Sequence, residues 1–247
     1  MILLLDIGNT RIKWATLRSE TLSPGGASAY SAADVGGVLR KIIDGEPGPG
    51  SVWVANVGGE HVRNAVSEAC RASGSVPVQF AKPAAEAFGV RNGYREPARL
   101  GVDRWLSLLA ARAGRRGPFC VVNCGTAVTL DLVDAEGAHL GGLIVPGVEV
   151  MLGALAFATD GVQVSGPGSP AVVPGRSTEE CTVNGTHGAI AALVDSAVAR
   201  FASEADAPVQ LIVSGGSATA IVPLLHTRAV HDPDLVLRGL ALVAGSG

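Results

Sequence analysis

The feature that most constrains the fold of this chain is a short motif that occurs twice, first at residues 1–16 and again at residues 119–131. In the first copy, an apolar run typical of a buried strand ends in Asp6, and Gly8 then allows a turn. Alternating apolar residues from Ile12 onwards predict a second strand that pairs back on the first. Backbone N–H groups and a carboxylate at such a corner suit a phosphate and its Mg²⁺, although an ordinary hairpin turn also fits this stretch taken alone.

The second copy repeats the same order of elements: an apolar strand, a short polar residue, a glycine turn and another strand. Because single glycine turns match by chance, the recurrence of the whole pattern favours two phosphate-binding hairpins over two unrelated turns. An alignment without gaps places Asn123 on Asp6, Gly125 on Gly8, Thr126 on Asn9 and Thr129 on Ile12.

A third, looser element lies at residues 211–217, where an apolar strand runs into Gly215 and Gly216 and then into a predicted helix. In a nucleotide site, glycines at this turn would let adenosine approach the backbone. A plain strand-to-helix turn is the alternative interpretation, and the local residues alone favour it.

Composition excludes several classes of function. The chain has 247 residues, of which 47% are hydrophobic and 17% charged, so it can bury a substantial core and is not disordered. A net charge of −3 and an aromatic content of 4% give no reason to expect a nucleic-acid partner. The first apolar run is too short for a signal peptide or a membrane span, so no membrane partner is expected. The four cysteines form no metal-binding cluster and are typical of reduced thiols, which predicts a cytoplasmic protein.

Strands and helices alternate along the chain after the antiparallel start, which predicts an α/β fold. The Gly- and Arg-rich segment at residues 114–118 is the best boundary between two halves. We therefore expect an amino-terminal domain of residues 1–116 and a carboxy-terminal domain of residues 117–247.

Residues 101–112 form the second informative stretch, an amphipathic helix that follows Gly101 and carries Asp103 and Arg104 in its first turn. A carboxylate there can stabilise the helix through its dipole, by about 0.3–1 kcal/mol. The functional interpretation is a general base beside a cation. Both interpretations stay open on local grounds.

The remaining titratable residues give weaker signals. None of the five histidines lies in a local motif with a nucleophilic Ser or Cys, so we expect surface or hydrogen-bonded histidines and not catalytic ones. Asp131 lies two residues beyond Thr129 on the same strand face and stays a site candidate. The histidines are His61, His139, His187, His226 and His231.

Four motifs in order along nearly the whole chain resemble those of the type III pantothenate kinases, the Bvg accessory factor-like branch of the acetate and sugar kinase/Hsc70/actin superfamily. They are Asp-Ile-Gly-Asn-Thr at residues 6–10, Gly-Val-Asp-Arg at 101–104, Gly-Thr-Ala-Val-Thr-Leu-Asp at 125–131, and Gly-Gly-x-x-x-Pro-Gly at 141–147. The resemblance implies two actin-like (ribonuclease H-like) domains with mixed sheets flanked by helices. It also implies a homodimer and ATP-dependent phosphorylation of pantothenate to 4'-phosphopantothenate, the first step of coenzyme A biosynthesis.

The resemblance also assigns roles to residues. It implies that Asp103 is the base that orients the acceptor hydroxyl, that Arg104 holds the substrate or the transferring phosphate, and that Asp6 positions Mg²⁺. The implied pantothenate-binding residues are Tyr94, Gly101, Arg104 and Thr178. The implied ATP- and phosphate-binding residues are Asp6, Gly8, Asn9, Thr10, Lys13, Gly125, Thr126, Gly215 and Gly216.

Two residues depart from the family pattern. Members usually carry Asp, associated with binding K⁺ or NH₄⁺, where this chain has Asn123; Asn keeps an oxygen ligand but loses the charge, which should weaken cation binding. Leu143 replaces a common aromatic residue, and no substrate contact is expected there. Two alternatives to an active pantothenate kinase therefore remain: a kinase for another small hydroxy compound, and a weakened family member that acts as a regulatory or binding protein.

Overall fold

A computed structural model describes residues 1–46, 48–159 and 170–246 of the chain. The chain folds into two compact units, one formed by residues 1–113 with 234–247 and the other by residues 114–233. Each unit has its own five-stranded sheet. No helix among the described residues is long and apolar enough to cross a membrane.

The first unit begins with a three-stranded meander and continues with alternating helices and strands. Its elements before residue 114, in chain order, are β1 (Ile2–Ile7), β2 (Arg11–Arg18), β3 (Thr21–Ala29), α1 (Val35–Gly45), β4 (Ser51–Asn56), α2 (Gly59–Ala72), β5 (Val78–Phe80), β6 (Glu86–Ala87), β7 (Val90–Arg91) and α3 (Val102–Arg112), with a 3₁₀ turn at Pro97–Arg99.

The sheet of the first unit has the strand order β3-β2-β1-β4-β5. β1 pairs antiparallel with β2 and parallel with β4, so it lies at the centre of a mixed sheet. Burial explains this place, because Leu3, Leu4 and Leu5 are all fully buried. The helices α1 and α2 pack together over one face of the sheet, where Leu39 and Val66 join the apolar core. The predicted strand-turn-strand start is therefore confirmed.

The second unit repeats this plan. Its elements are β8 (Phe119–Cys124), β9 (Ala127–Val133), β10 (His139–Pro146), α4 (Val148–Ala158), α5 (Thr178–Ala205), β11 (Gln210–Ser214), α6 (Ala218–Ile221) and β12 (Ala229–His231), with a 3₁₀ turn at Val222–Leu224.

The second sheet has the order β10-β9-β8-β11-β12, which is the order of the first sheet with equivalent strands. β8 pairs antiparallel with β9 and parallel with β11, as β1 does with β2 and β4. One sheet face packs on α5, where Cys120, Val122 and Val194 lie in the apolar core. Burial raises the pKa of the Cys120 thiol, as does the nearby Asp131 charge, so this cysteine stays protonated.

The last helix, α7 (Leu235–Gly245), belongs to the first unit. It packs on α3 and also contacts β1, because its buried leucines, among them Leu237 and Leu240, need an apolar partner. The expected boundary after residue 116 lies three residues from the division between the units. The expectation that the second domain runs to residue 247 differs from the structure at this helix.

Candidate functional site

The first hairpin brings a carboxylate and an amine together where β1 ends. Asp6 and Lys13 are directly opposite one another in the β1–β2 pairing, which places their side chains on the same face of the sheet. The turn is closed by the Gly8 N–H, which donates to the Arg11 carbonyl oxygen at 3.0 Å. Asn9 and Thr10, at the tip of this turn, are exposed to solvent. The turn can therefore offer backbone and side-chain groups to a ligand.

Tyr30 fixes this turn, and sequence reasoning missed it. Its hydroxyl donates to the Gly8 carbonyl oxygen at 2.5 Å, and its backbone N–H donates to the Thr10 carbonyl oxygen at 3.2 Å. The only available signal was that the chain has two tyrosines, and both of them, Tyr30 and Tyr94, bond to predicted site residues.

Asp6 has a strongly perturbed acidity. Burial and, to a smaller extent, the nearby negative charge of Asp103 raise its pKa to about 7, against the opposing effect of the positive charge of Lys13. The structure thus brings Asp6 and Asp103, two predicted site residues almost a hundred positions apart, into electrostatic contact. Two close carboxylates repel one another, so a bound cation or a proton is needed to stabilise the pair.

Asp103 lies in the first turn of α3, and its carboxylate has a defined place. The Arg104 N–H donates to Asp103 Oδ1 at 2.8 Å, and the Ser107 hydroxyl donates to the Asp103 carbonyl oxygen at 2.8 Å. Gly101 precedes the helix, and a Cβ atom at that position would lie only 2.7 Å from Asp103 Oδ1. Glycine at position 101 therefore leaves room for the carboxylate.

Arg104 and Tyr94 form a pair beside Asp103. The Arg104 Nη1 donates to the Tyr94 hydroxyl at 2.7 Å, and the guanidinium carbon lies 5.4 Å from the centre of the Tyr94 ring. Arg104 is only 5% exposed, which is unusual for an arginine and indicates a fixed orientation. The predicted substrate-binding residues Tyr94, Gly101 and Arg104 are thus brought together in the first unit.

The second hairpin has a tighter turn. The Gly125 N–H donates to the Ala127 carbonyl oxygen at 3.1 Å, and the Gly147 N–H, just before α4, donates to the Thr126 carbonyl oxygen at 2.9 Å. Three residues separate the paired ends of β8 and β9, whereas four separate those of β1 and β2. As a result Asn123 pairs with Thr129 in the second sheet, just as Asp6 pairs with Lys13 in the first. Thr129 therefore corresponds to Lys13, and the expected match of Thr129 with Ile12 was wrong.

Three neutral side chains lie in register across neighbouring strands: Thr129 on β9, Asn123 on β8 and Ser214 on β11. We call them the polar row. Because side chains alternate along a strand, the polar row lies on the face opposite the α5 core. The Thr129 hydroxyl is buried and has no hydrogen-bond partner within residues 1–46, 48–159 and 170–246. Gly215 follows the row with φ +99°, and a Cβ atom there would overlap the Cys124 backbone, so glycine is required.

Asp131 forms a buried pair with His139, whose Nε2 lies 2.9 Å from Asp131 Oδ1. Asp131 is fully buried and His139 is 2% exposed. The carboxylate of Asp131 is therefore inaccessible to a ligand in this structure, and His139 is a hydrogen-bonded histidine of the expected kind. The predicted site residue Thr178 lies apart in sequence from these strands, as the exposed first residue of α5, which the Ser177 hydroxyl caps.

The type III pantothenate kinase family model matches residues 2–200. The chain is 37% identical to the type III pantothenate kinase of Nitrosococcus oceani, over 99% of this chain and 94% of that protein. It is 38% identical to the type III pantothenate kinase of Aromatoleum aromaticum, over 99% of this chain and 98% of that protein.

The chain belongs to the type III pantothenate kinase family. Solved structures agree on the fold. A Campylobacter jejuni protein described as a Baf family transcriptional activator has a TM-score of 0.61 and 19% identity, over 99% of this chain and 98% of that one. A ROK family glucokinase from Streptomyces griseus, solved with glucose and AMPPNP, has a TM-score of 0.55 and 12% identity, over 100% of this chain and 99% of that one. The predicted actin-like α/β fold is confirmed.

Within a type III pantothenate kinase, the two glycine hairpins are the natural candidates for phosphate contacts, and Asp6 for a divalent cation. No group of three or more His, Cys, Asp or Glu side chains in the described part of the chain is arranged to hold a metal ion by itself. A Mg²⁺ ion would therefore take few protein ligands, which suits Mg²⁺ because it keeps water and substrate phosphates in its coordination sphere.

Proposed function

We propose that this protein transfers the terminal phosphoryl group of ATP to the primary hydroxyl of pantothenate and forms 4'-phosphopantothenate, which opens the path to coenzyme A. The observation that carries the proposal is the group formed in the first unit by Asp6, Asp103 and the buried Arg104–Tyr94 pair. Membership of the type III pantothenate kinase family supports the choice of substrates.

Asp103 is the proposed base. Phosphoryl transfer requires little covalent help from the protein, so the main contribution of a carboxylate is to accept a hydrogen bond from the acceptor hydroxyl and then its proton. The hydrogen bond from the Arg104 N–H leaves one oxygen of Asp103 in a fixed place. Gly101 keeps the space around that oxygen open.

Asp6 is the proposed Mg²⁺-positioning residue, directly or through water. The fit is supported by its pKa of about 7, which burial and the charge of Asp103 produce and which a nearby divalent cation would lower. When bound, Mg²⁺ neutralises charge on the transferring phosphates. Lys13, opposite Asp6 on β2, adds a positive charge on the same sheet face.

The proposed phosphate contacts in the first unit are the exposed turn residues Asn9 and Thr10 together with Gly8, whose N–H already closes the turn. In the second unit, Gly125 and Thr126 are the proposed phosphate contacts. Gly215, which lies against the Cys124 backbone, and Gly216, where an added Cβ would meet nothing within 4 Å, are the proposed contacts for adenosine.

In the first unit, the proposed acceptor-binding residues are Tyr94, Gly101 and Arg104. Arg104 is already held at its Tyr94 contact, so its guanidinium is preorganised to attract an anionic substrate. Thr178 is exposed at the start of α5 and can offer its hydroxyl.

A monovalent cation is a further part of the proposal. The polar row offers neutral oxygens, including the buried Thr129 hydroxyl, but no carboxylate. K⁺ binds to neutral oxygens, yet the loss of a charged ligand lowers its affinity. We therefore propose that K⁺ or NH₄⁺ binds weakly at Asn123 and that turnover depends little on it.

We also propose a homodimer. Along β10 and α4, large apolar side chains are exposed in succession, among them Ile144 at 60% and Phe157 at 94%. β10 is the edge strand of its sheet. Exposed apolar surface of this extent beside an open sheet edge is typical of an interface, and a second copy would bury it. Light scattering coupled to size-exclusion chromatography tests this oligomeric state.

We also propose a cytoplasmic location, because the proposed reaction needs ATP.

The decisive experiment measures ADP release by purified protein with Mg²⁺, ATP and pantothenate. We expect pantothenate-dependent turnover that falls by about 10²–10⁴-fold in Asp103→Asn, with the melting temperature preserved. Glu60→Gln, which removes a carboxylate from the first turn of α2, is the matched control and should keep full activity. Turnover with another hydroxy compound but not pantothenate would refute the substrate, and ligand binding without turnover would favour a regulatory protein.

A further inference from the structure

Asn92 is the first residue of the loop between β7 and α3, and its groups bond to several other segments of that region. Its backbone N–H donates to the Ala85 carbonyl oxygen at 2.8 Å. Its side-chain amide donates to the carbonyl oxygens of Ala84 and Pro97, each at 3.1 Å, and its Oδ1 accepts the Tyr94 N–H at 3.0 Å. Both amide hydrogens and the amide oxygen are thus used, which only Asn can do with this reach.

These bonds converge on the acceptor-binding pair. Tyr94 receives its backbone position from Asn92, and its hydroxyl accepts the Arg104 Nη1 hydrogen at 2.7 Å. Arg104 then lies next to the base Asp103 in the first turn of α3. Two hydrogen bonds, joined through the backbone and side chain of Tyr94, therefore connect Asn92 to the guanidinium without involving a strand of the main sheet.

We propose that Asn92 is a positioning residue that sets the affinity for the acceptor by orienting Tyr94 and, through it, Arg104. The inference rests on the proposed phosphorylation of pantothenate. No part of the path involves Asp6 or the glycine hairpins, so ATP binding is not expected to depend on Asn92. The hydrogen bond from the Asn92 amide to the Pro97 carbonyl oxygen also supports the segment that leads to Gly101. The Asp103 carboxylate does not depend on this bond, because the Arg104 N–H within α3 holds it.

The test is steady-state kinetics with Asn92→Ala. The KM for pantothenate should rise about 10-fold, since the lost hydrogen bonds free Tyr94 to move, while kcat and the KM for ATP stay within about 2-fold. Asn92→Asp keeps the acceptor for the Tyr94 N–H but loses both donors. It should give an intermediate KM, and it serves as the second variant if the alanine variant does not fold.

Two comparisons separate positioning from general loosening. Asp195→Ala also removes a side chain that tethers a loop, since Asp195 accepts the N–H groups of His226 and Thr227, and it should lower the melting temperature without changing the pantothenate KM. The double variant Tyr94→Phe, Asn92→Ala should have a KM for pantothenate within about 2-fold of that of the more impaired single variant, because both residues act on one path.

The outcomes are distinct. Equal rises of both KM values, or multiplicative effects in the double variant, would overturn the role of Asn92 while leaving the proposed kinase intact. A wild-type protein that shows no pantothenate-dependent ADP release would overturn the proposed function, and the inference with it.

Discussion

Gly101→Ala should damage catalysis while leaving the fold almost unchanged. A Cβ atom at position 101 would lie 2.7 Å from Asp103 Oδ1, whereas ordinary contacts begin near 3.4 Å. The carboxylate must therefore move by about 0.7 Å or rotate away, and a misplacement of about 1 Å in a catalytic group costs on the order of 10²-fold in rate. We expect kcat to fall about 10- to 100-fold.

The same change should cost little stability, because the atom that must yield is the end of a side chain and not part of the backbone. The φ of −56° and ψ of 134° at Gly101 are allowed for alanine. Alanine is a poorer residue than glycine at a helix N-cap, but it reduces the entropy of the unfolded chain by a comparable free energy. The free energy of unfolding should therefore change by less than about 1 kcal/mol.

The assay is ADP release at saturating ATP and pantothenate, with urea unfolding of the same samples. Gly37→Ala is the matched control: it lies in α1, where an added Cβ meets nothing within 4 Å. It should stabilise the protein by roughly 0.5–1 kcal/mol with kcat unchanged. If Gly101→Ala keeps kcat within about 2-fold of the wild type, the place of the Asp103 carboxylate does not limit turnover and its assignment as base is refuted.

Two further predictions concern charge. The pKa of Asp6 is raised from its ordinary value to about 7, so the ligand-free fold loses stability as pH rises from about 4 through 7. Asp6→Asn should remove this loss, so its gain in the free energy of unfolding without Mg²⁺ should grow between pH 5 and pH 8, by at most about 4 kcal/mol; a gain independent of pH would contradict it. Asn123→Asp should make turnover respond more strongly to KCl than to NaCl, and identical salt titrations of variant and wild type would refute the role of position 123.

Much of the fold could be predicted from the sequence because its signals are local. Both hairpins follow from apolar runs interrupted by glycine, and α3 follows from its amphipathic period after Gly101. Local signals are less reliable at Gly185, where α5 continues as one helix from Thr178 to Ala205. A single glycine costs a helix only about 1 kcal/mol, and buried residues on both sides of it, such as Val183 and Ile190, outweigh that cost.

The parts that could not be predicted depend on contacts between distant residues. The apolar pattern of α7 predicts a helix but not its packing on α3, more than a hundred residues earlier. Tyr30 bonds to a turn 22 residues before it, in a segment with no period. Asn92 lies in a loop whose bonds run to backbone carbonyl groups, which carry no sequence signature.

The two hairpins share a backbone plan but differ in chemistry, and the difference lies in one row of side chains. In the first unit this row holds Asp6 and Lys13, and in the second it holds Asn123 and Thr129 with Ser214. A charged pair costs stability unless a ligand or a partner compensates it, whereas the cost in the neutral row is that of burying the unpaired Thr129 hydroxyl. Burial and the charge of Asp103 raise the pKa of Asp6, which shows that the ionised form of this carboxyl is the costly one. A duplicated fold can therefore keep its strand order and turns in both copies while the groups proposed to hold a divalent cation, to act as base and to bind the acceptor are concentrated in the first.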